Sequence, residues 1–203
     1  MKKIIIASPN SASESLKKTI NEFSDHKCFQ ITNINYKKKI LKEKNFFRKL
    51  ISLINYNLIK YSPNYLYSTT LSKVAPAKDF DMMSYYHNDI CSFNRRISFI
   101  FDDLNKVDSI AKQHFPPTLE NKIYFKNWRK VILIRSPEEV LNKYLSRDND
   151  ILIHNNEYRL KLLDQIKNWN NGWKNETNSI IINKSDLVNN TFVTLKKIEE
   201  FFL

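Results

Sequence analysis

Three short runs of almost unbroken aliphatic residues constrain this chain most: Lys3 to Ala7, Lys130 to Ile134, and Ser179 to Ile182. A strand with one wet face alternates polar and apolar residues. Continuous runs of Ile, Val and Leu instead predict strands covered on both faces. Cys28 to Ile34 and Val107 to Ala111 are weaker strand candidates. Helical periodicity fills the gaps. Ser13 to Phe23 follows the first run directly, and Pro137 to Ser146 opens with proline and two glutamates, which suit a helix's positive end. Asn190 to Phe202 sets Phe192, Leu195, Ile198 and Phe202 on one face and Lys196, Lys197, Glu199 and Glu200 on the other. Strands alternating with helices predict an α/β fold in three layers, a central parallel sheet flanked by helices. In such sheets ligands bind at the carboxyl ends of the strands, so the turns after strands are the places to search.

Those turns are built almost without glycine, because the 203 residues include one, Gly172. A G-x-G-x-x-G dinucleotide fingerprint and a G-x-x-x-x-G-K-[ST] phosphate loop are therefore excluded. Collagen-like and Gly-rich linker readings are excluded with them. With 42% hydrophobic and 13% aromatic residues the chain is of folded type. Its net charge of +12 points to anionic partners: nucleic acid, phosphorylated nucleotides, acidic glycans or a membrane surface. Half of that charge lies in Lys37 to Lys49, where seven Lys/Arg face one Glu. The run opens a helix-compatible stretch, residues 36–105, in which Phe47, Leu50, Ile51, Ile54 and Leu58 recur at helical spacing. It reads as a helical insertion within a single domain spanning residues 1–203.

Cys28 and Cys91 make no disulfide framework and read as reduced core thiols. The apolar run near Met1 ends at Ser8-Pro9-Asn10, too early for a signal peptide, and no stretch approaches the ~20 apolar residues of a membrane span. A soluble cytoplasmic protein is expected. His26, His87 and His154 have no companions at metal-ligand spacing, and no metal is expected. Trp169 and Trp173, one helical turn apart, read as core. Tyr85-Tyr86-His87 and Asn94-Arg95-Arg96 read as helix capping or solvated groups rather than acceptor contacts.

Chemistry concentrates at three strand ends. After the first strand, Ser8-Pro9-Asn10-Ser11-Ala12-Ser13-Glu14-Ser15 passes through small hydroxylated residues into a helix. Backbone N–H groups at a helix start bind phosphate well, although a Ser-rich N-cap needs no ligand. Arg135-Ser136-Pro137 places an arginine where a second phosphate can be gripped. Lys112 and His114 stand two apart at the end of another strand candidate and so project to one side. Facing one cleft, they would serve as electrophile-stabiliser and general base.

In combination these motifs resemble the sulfotransferases that use 3′-phosphoadenosine 5′-phosphosulfate. The family's Pro-Lys/Arg-Ser-Gly-Thr/Ser-Thr is matched by Pro9-Asn10-Ser11-Ala12-Ser13-Glu14, and its Lys-Thr-His-x-Pro by Lys112-Gln113-His114-Phe115-Pro116. Its Arg-Asn-Pro-Lys-Asp-Val is matched by Arg135-Ser136-Pro137-Glu138-Glu139-Val140, and its Tyr-Glu-Asp-Leu by Lys184-Ser185-Asp186-Leu187. The resemblance covers residues 3–18 and 107–203 and implies the P-loop-NTPase-like sulfotransferase fold.

It also implies roles. The 5′-phosphosulfate would lie on Asn10, Ser11, Ala12, Ser13, Glu14 and Ser15, and the 3′-phosphate near Arg135. His114 would deprotonate an acceptor hydroxyl or amine while Lys112 steadies the sulfuryl group. The chain departs from the pattern at named positions. The loop cation is Asn10, the glycine is Ala12 (which fits if its φ stays negative), and the second hydroxyl is Glu14. The serine eight residues after Arg135 is Lys143, able to bind phosphate as a point charge. The expected acceptor is a cell-surface glycan or lipid-linked sugar. Two alternatives stand beside this reading: a catalytically impaired nucleotide binder of the same fold, and a basic nucleic-acid-binding protein using Lys37 to Lys49, the latter not favoured.

Overall fold

The computed structural model describes residues 1–8, 11–30, 40–60, 109–145 and 156–203. In chain order the elements are β1 (Lys3–Ala7), α1 (Ser13–Phe23), β2 (Lys27–Gln30), α2 (Phe46–Lys60), β3 (Ser109–Gln113), α3 (Leu119–Tyr124) and β4 (Arg129–Ile134). Then follow α4 (Pro137–Leu145), α5 (Asn156–Gly172), β5 (Ser179–Asn183), α6 (Lys184–Asn189) and α7 (Thr191–Phe202). The five strands form one sheet, all pairs parallel, in the order β2-β3-β1-β4-β5.

Side-chain alternation along the strands sorts the core into two layers, one on each face of the sheet. Ile4 and Ile6 of β1 and Ile132 and Ile134 of β4 meet Val140 and Leu141 of α4 and Tyr158, Leu162, Ile166 and Trp169 of α5. Ile5, Ala7, Val131 and Leu133 point the other way, onto Leu16 and Ile20 of α1, Leu187 of α6, and Leu195, Ile198 and Phe202 of α7. The chain is therefore a three-layer α/β protein. Burying each of these aliphatic side chains contributes about 1.5–3 kcal/mol against chain entropy, so the aliphatic runs drive the fold.

Three expectations shift. Ser179–Asn183 is a strand, but among the described residues it is the outermost of the sheet, and Ile180 and Ile181 are only half buried. Apolar side chains on both faces mimic a fully buried strand in sequence even where the cover on each face is partial. On α7, Phe192 is 71% exposed, its ring set edge-on to Phe23 at 5.8 Å, and Thr194 is buried in its stead. β3 extends through the polar Lys112 and Gln113, both buried, which hydropathy alone hides. Trp169 and Trp173 are core, as expected, and Cys28 is buried as a free thiol. Helix α2 forms within the expected helical stretch, with Phe47, Leu50, Ile51 and Ile54 exposed on it. Asn10, Cys91, His87, His154, Lys37 to Lys39, Asn94 to Arg96 and residues 61–108 lie outside the described residues.

Candidate active site

β1 sends the chain to one face of the sheet, through α1, while both of its neighbours, β3 and β4, send it to the other. The carboxyl end of β1 is thus the topological switch point where open α/β sheets form their ligand crevice. The turn there is tight. Ser8 N–H donates to the Leu133 carbonyl at 2.9 Å, and Ser11 N–H donates back to the Ser8 carbonyl at 3.2 Å. Ala12 then takes φ 66° and ψ 26°, the left-handed region. The expectation of negative φ at Ala12 is overturned: the doubling back of the turn forces a glycine-type conformation on a residue with a Cβ, at a cost of about 1–2 kcal/mol.

What this geometry exposes to a ligand is specific. The N-cap residue, Ala12, has no side chain that can cap α1, so among the described residues the helix's first N–H groups keep donor capacity for something else. Ser8 is 1% exposed and Ser11 0%, and neither hydroxyl has a hydrogen-bond partner among the described residues. A buried hydroxyl left unmatched costs about 1–3 kcal/mol. Unmatched hydroxyls beside unfilled N–H groups suit the oxygens of a phosphate or sulfate ester. Ser13 is buried, whereas Ser15 is exposed, its carbonyl taken by the Thr19 hydroxyl at 3.0 Å.

Beside the turn, β3 delivers Lys112, whose side chain is fully buried. Its Nζ donates to Oε1 of Glu14, and Lys17 holds the other Glu14 oxygen at 2.6 Å. Lys112 lies in β3 and His114 is the first residue after it, but Lys112 meets a carboxylate there, which residue spacing on the strand does not reveal. Desolvation pushes the Glu14 carboxyl up, yet hydrogen bonds from Lys112 and Lys17 outweigh it and hold the group at about 2. Burial pulls Lys112 below its ordinary range, and Glu14 pulls it partway back.

His114 follows immediately. Its Nδ1 lies 2.8 Å from the Ala7 carbonyl. A carbonyl only accepts, so Nδ1 carries the proton and the lone pair of the neutral ring is on Nε2. Burial lowers the imidazole to about 4 against the raising effect of that carbonyl, so the ring is neutral at pH 7. The loop that carries it is firmly seated. Trp173 Nε1–H donates to the Phe115 carbonyl at 3.0 Å, and Asn121 Nδ2 donates to that of Pro116 at 2.8 Å.

Arg135 leaves the end of β4 and lines a separate cleft of about 530 Å³ over the carboxyl ends of β4 and β5. Its Nε donates to Glu139 Oε2 at 2.5 Å, and Lys184 Nζ approaches the same oxygen at 3.3 Å. The lining includes none of Ser11 to Ser15, Lys112 or His114, and Lys143 stands exposed on α4 away from it. The sheet therefore gathers Ser8, Ser11, Glu14, Lys112 and His114 at β1 and β3, with Arg135 one strand further on. Sequence reasoning flagged Glu14 as a carboxylate in an anion's place without finding its partners. It missed Asn170, which carries no motif signal.

Among the described residues no group of His, Cys, Asp and Glu is arranged to hold a metal ion, and no helix is long and apolar enough to cross a membrane. No protein-family model matches the chain, and no curated protein matches it.

Proposed function

We propose that this chain binds 3′-phosphoadenosine 5′-phosphosulfate at the carboxyl ends of β1, β3 and β4 and transfers its sulfuryl group to an acceptor hydroxyl. The observation that carries this reading is the meeting, beside the start of α1, of a neutral His114, a buried Lys112 and two unmatched serine hydroxyls. Residues about a hundred positions apart supply the acid–base and anion-binding groups that the resemblance calls for.

In the proposed step the acceptor O–H gives its proton to Nε2 of His114 as the new O–S bond forms. The S–O bond to the 5′-phosphate breaks, and 3′-phosphoadenosine 5′-phosphate leaves with that electron pair. Charge spreads over the sulfuryl and bridging oxygens, and the protein's part is to position and stabilise it. Lys112 serves that charge once the incoming anion takes over from Glu14, while Ser8, Ser11 and the first N–H groups of α1 hold the 5′-phosphosulfate. Arg135 holds the 3′-phosphate, and the acceptor is a glycan or a lipid-linked sugar, for which the exposed Lys42, Lys44 and Arg48 provide a basic approach.

A transfer assay with labelled sulfate tests the reading. Wild type should transfer, and His114→Ala should lose at least a hundredfold in kcat with nucleotide affinity retained. No nucleotide binding at millimolar concentration would overturn it. The Glu14–Lys112 pair favours a second reading, nucleotide binding without transfer, because a carboxylate already neutralises the one buried cation at the transfer point. Binding without transfer for wild type would select that second reading.

A further inference from the structure

The cleft beside Arg135 contains more recognition chemistry than a single arginine. Four cations line it, Arg135, Lys167, Lys174 and Lys184, against one carboxylate, Glu139. Glu139 is engaged with Arg135 and Lys184. Lys167 and Lys174, at the end of α5 and just beyond it, form no ion pair among the described residues. Glu138 lies close enough to Lys167 to feel its charge, yet four cations against Glu138 and Glu139 still leave the cleft a net positive field, which attracts an anion.

Asn170 gives the cleft a second, directional element. It is 5% exposed and lines the cleft wall. Its Nδ2 donates to the Arg135 carbonyl at 2.9 Å, which fixes the amide so that Oδ1 is the atom left over. That Oδ1 is buried and has no partner among the described residues. A buried amide oxygen held beside a cationic rim calls for a donor, and a hydroxyl on an anionic ligand provides one.

We infer that this cleft is a binding site for an anionic ester flanked by a free hydroxyl, with Lys167 and Lys174 taking the ester and Asn170 Oδ1 the hydroxyl. Two sources share that chemistry: a ribose 3′-phosphate with its 2′-hydroxyl, and a sugar sulfated or phosphorylated next to a free hydroxyl. For the ribose source the inference rests on the sulfuryl-transfer reading and deepens it, since these two lysines would then supply the charge that Lys143, outside the cleft, does not. For the sugar source it stands alone.

Titration calorimetry on the full chain separates the cases. The probes are adenosine 3′-phosphate, 2′-deoxyadenosine 3′-phosphate and galactose 3-sulfate, none of which carries a 5′-phosphosulfate. Wild type should bind adenosine 3′-phosphate or galactose 3-sulfate, and which of them binds identifies the source. The double variant Lys167→Ala/Lys174→Ala should bind at least tenfold more weakly, while Lys126→Ala, an exposed lysine elsewhere, should not change affinity. If adenosine 3′-phosphate is the binder, its 2′-deoxy form should bind about fivefold more weakly. All three substitutions remove exposed side chains, so thermal melts should stay within a few degrees of wild type. No binding of either ester at millimolar concentration, or unchanged affinity in the double variant, overturns the inference. Ester binding without sulfuryl transfer would retain the cleft and discard the enzymatic reading; transfer with an unaffected double variant would do the reverse.

Discussion

Gly172 packs so closely on Pro117 that a Cβ at position 172 would lie 2.4 Å from the proline Cγ and 2.6 Å from its Cβ. The chain's one glycine is needed for close approach, not for an unusual φ. Pro117 belongs to the loop that carries His114, and Trp173, next to the glycine, holds the Phe115 carbonyl of the same loop. The end of α5 therefore sets how that loop sits on the sheet.

Gly172→Ala should consequently destabilise, by about 1–2 kcal/mol, as overpacking outweighs alanine's better helix propensity. Urea unfolding would measure it. Pro117→Ala in the same chain should recover most of the loss, because the two substitutions share one contact and their effects do not add. Equal losses with and without Pro117 would show that the contact is not what glycine serves.

Ala12 presents the opposite case, a left-handed residue that is not glycine. Ala12→Gly removes the Cβ strain of about 1–2 kcal/mol but frees the unfolded chain by about 0.5–1 kcal/mol. A net gain of roughly 0.5–1 kcal/mol should follow, read as a rise in urea midpoint at constant slope. Ala12→Val should lose more than 1 kcal/mol at the same position.

How much of this was legible in the sequence depends on what each residue's surroundings add. The aliphatic runs at Lys3–Ala7 and Lys130–Ile134 announced central strands because their neighbours are aliphatic too. β3 was placed two residues early, since a lysine that ends up fully buried looks like a loop residue until its carboxylate is known. Glu14 is 98 positions away, and no local pattern links the two. The Ser8 to Ser15 turn, His114 and Arg135 were found because each follows a strand. Asn170 was not, because it acts through one unmatched oxygen whose environment only the fold creates.

His114 makes a testable demand on pH. Its ring, lowered to about 4 from an ordinary 6.5, is depressed in the folded state. Between those values the unfolded chain binds the proton and the folded chain does not. The neutral ring's contribution is therefore complete above pH 6.5 and is lost as pH falls through 4, on the order of 3 kcal/mol in all. His114→Gln should flatten stability across that window in urea melts at several pH values. If His114 is the proposed base, log kcat/KM of wild type should also stay level from pH 8 to 5, bending only near 4.

Glu14 lies beside the proposed anion site, and Glu14→Gln tests what it does there. Its carboxyl is held at about 2 against an ordinary 4.5, so its ion pairs stabilise the fold above pH 4.5 and lose that effect as pH falls through 2. The group is half exposed, so solvent screens the contribution to about 1 kcal/mol. The variant should lack this acid loss. At pH 7 it should also be less stable in the absence of anions, by about 1–3 kcal/mol, because Lys112 is left buried without its counter-charge. Added phosphate or sulfate should then raise its melting temperature more than that of wild type, since an anion can occupy the place Glu14 held and stabilise by mass action. A tenfold tighter Kd would appear as about 1.4 kcal/mol of extra stabilisation at the same saturating concentration. If phosphate stabilised both proteins equally, Glu14 would be a structural partner of Lys112 and not the resident competitor for an anion site.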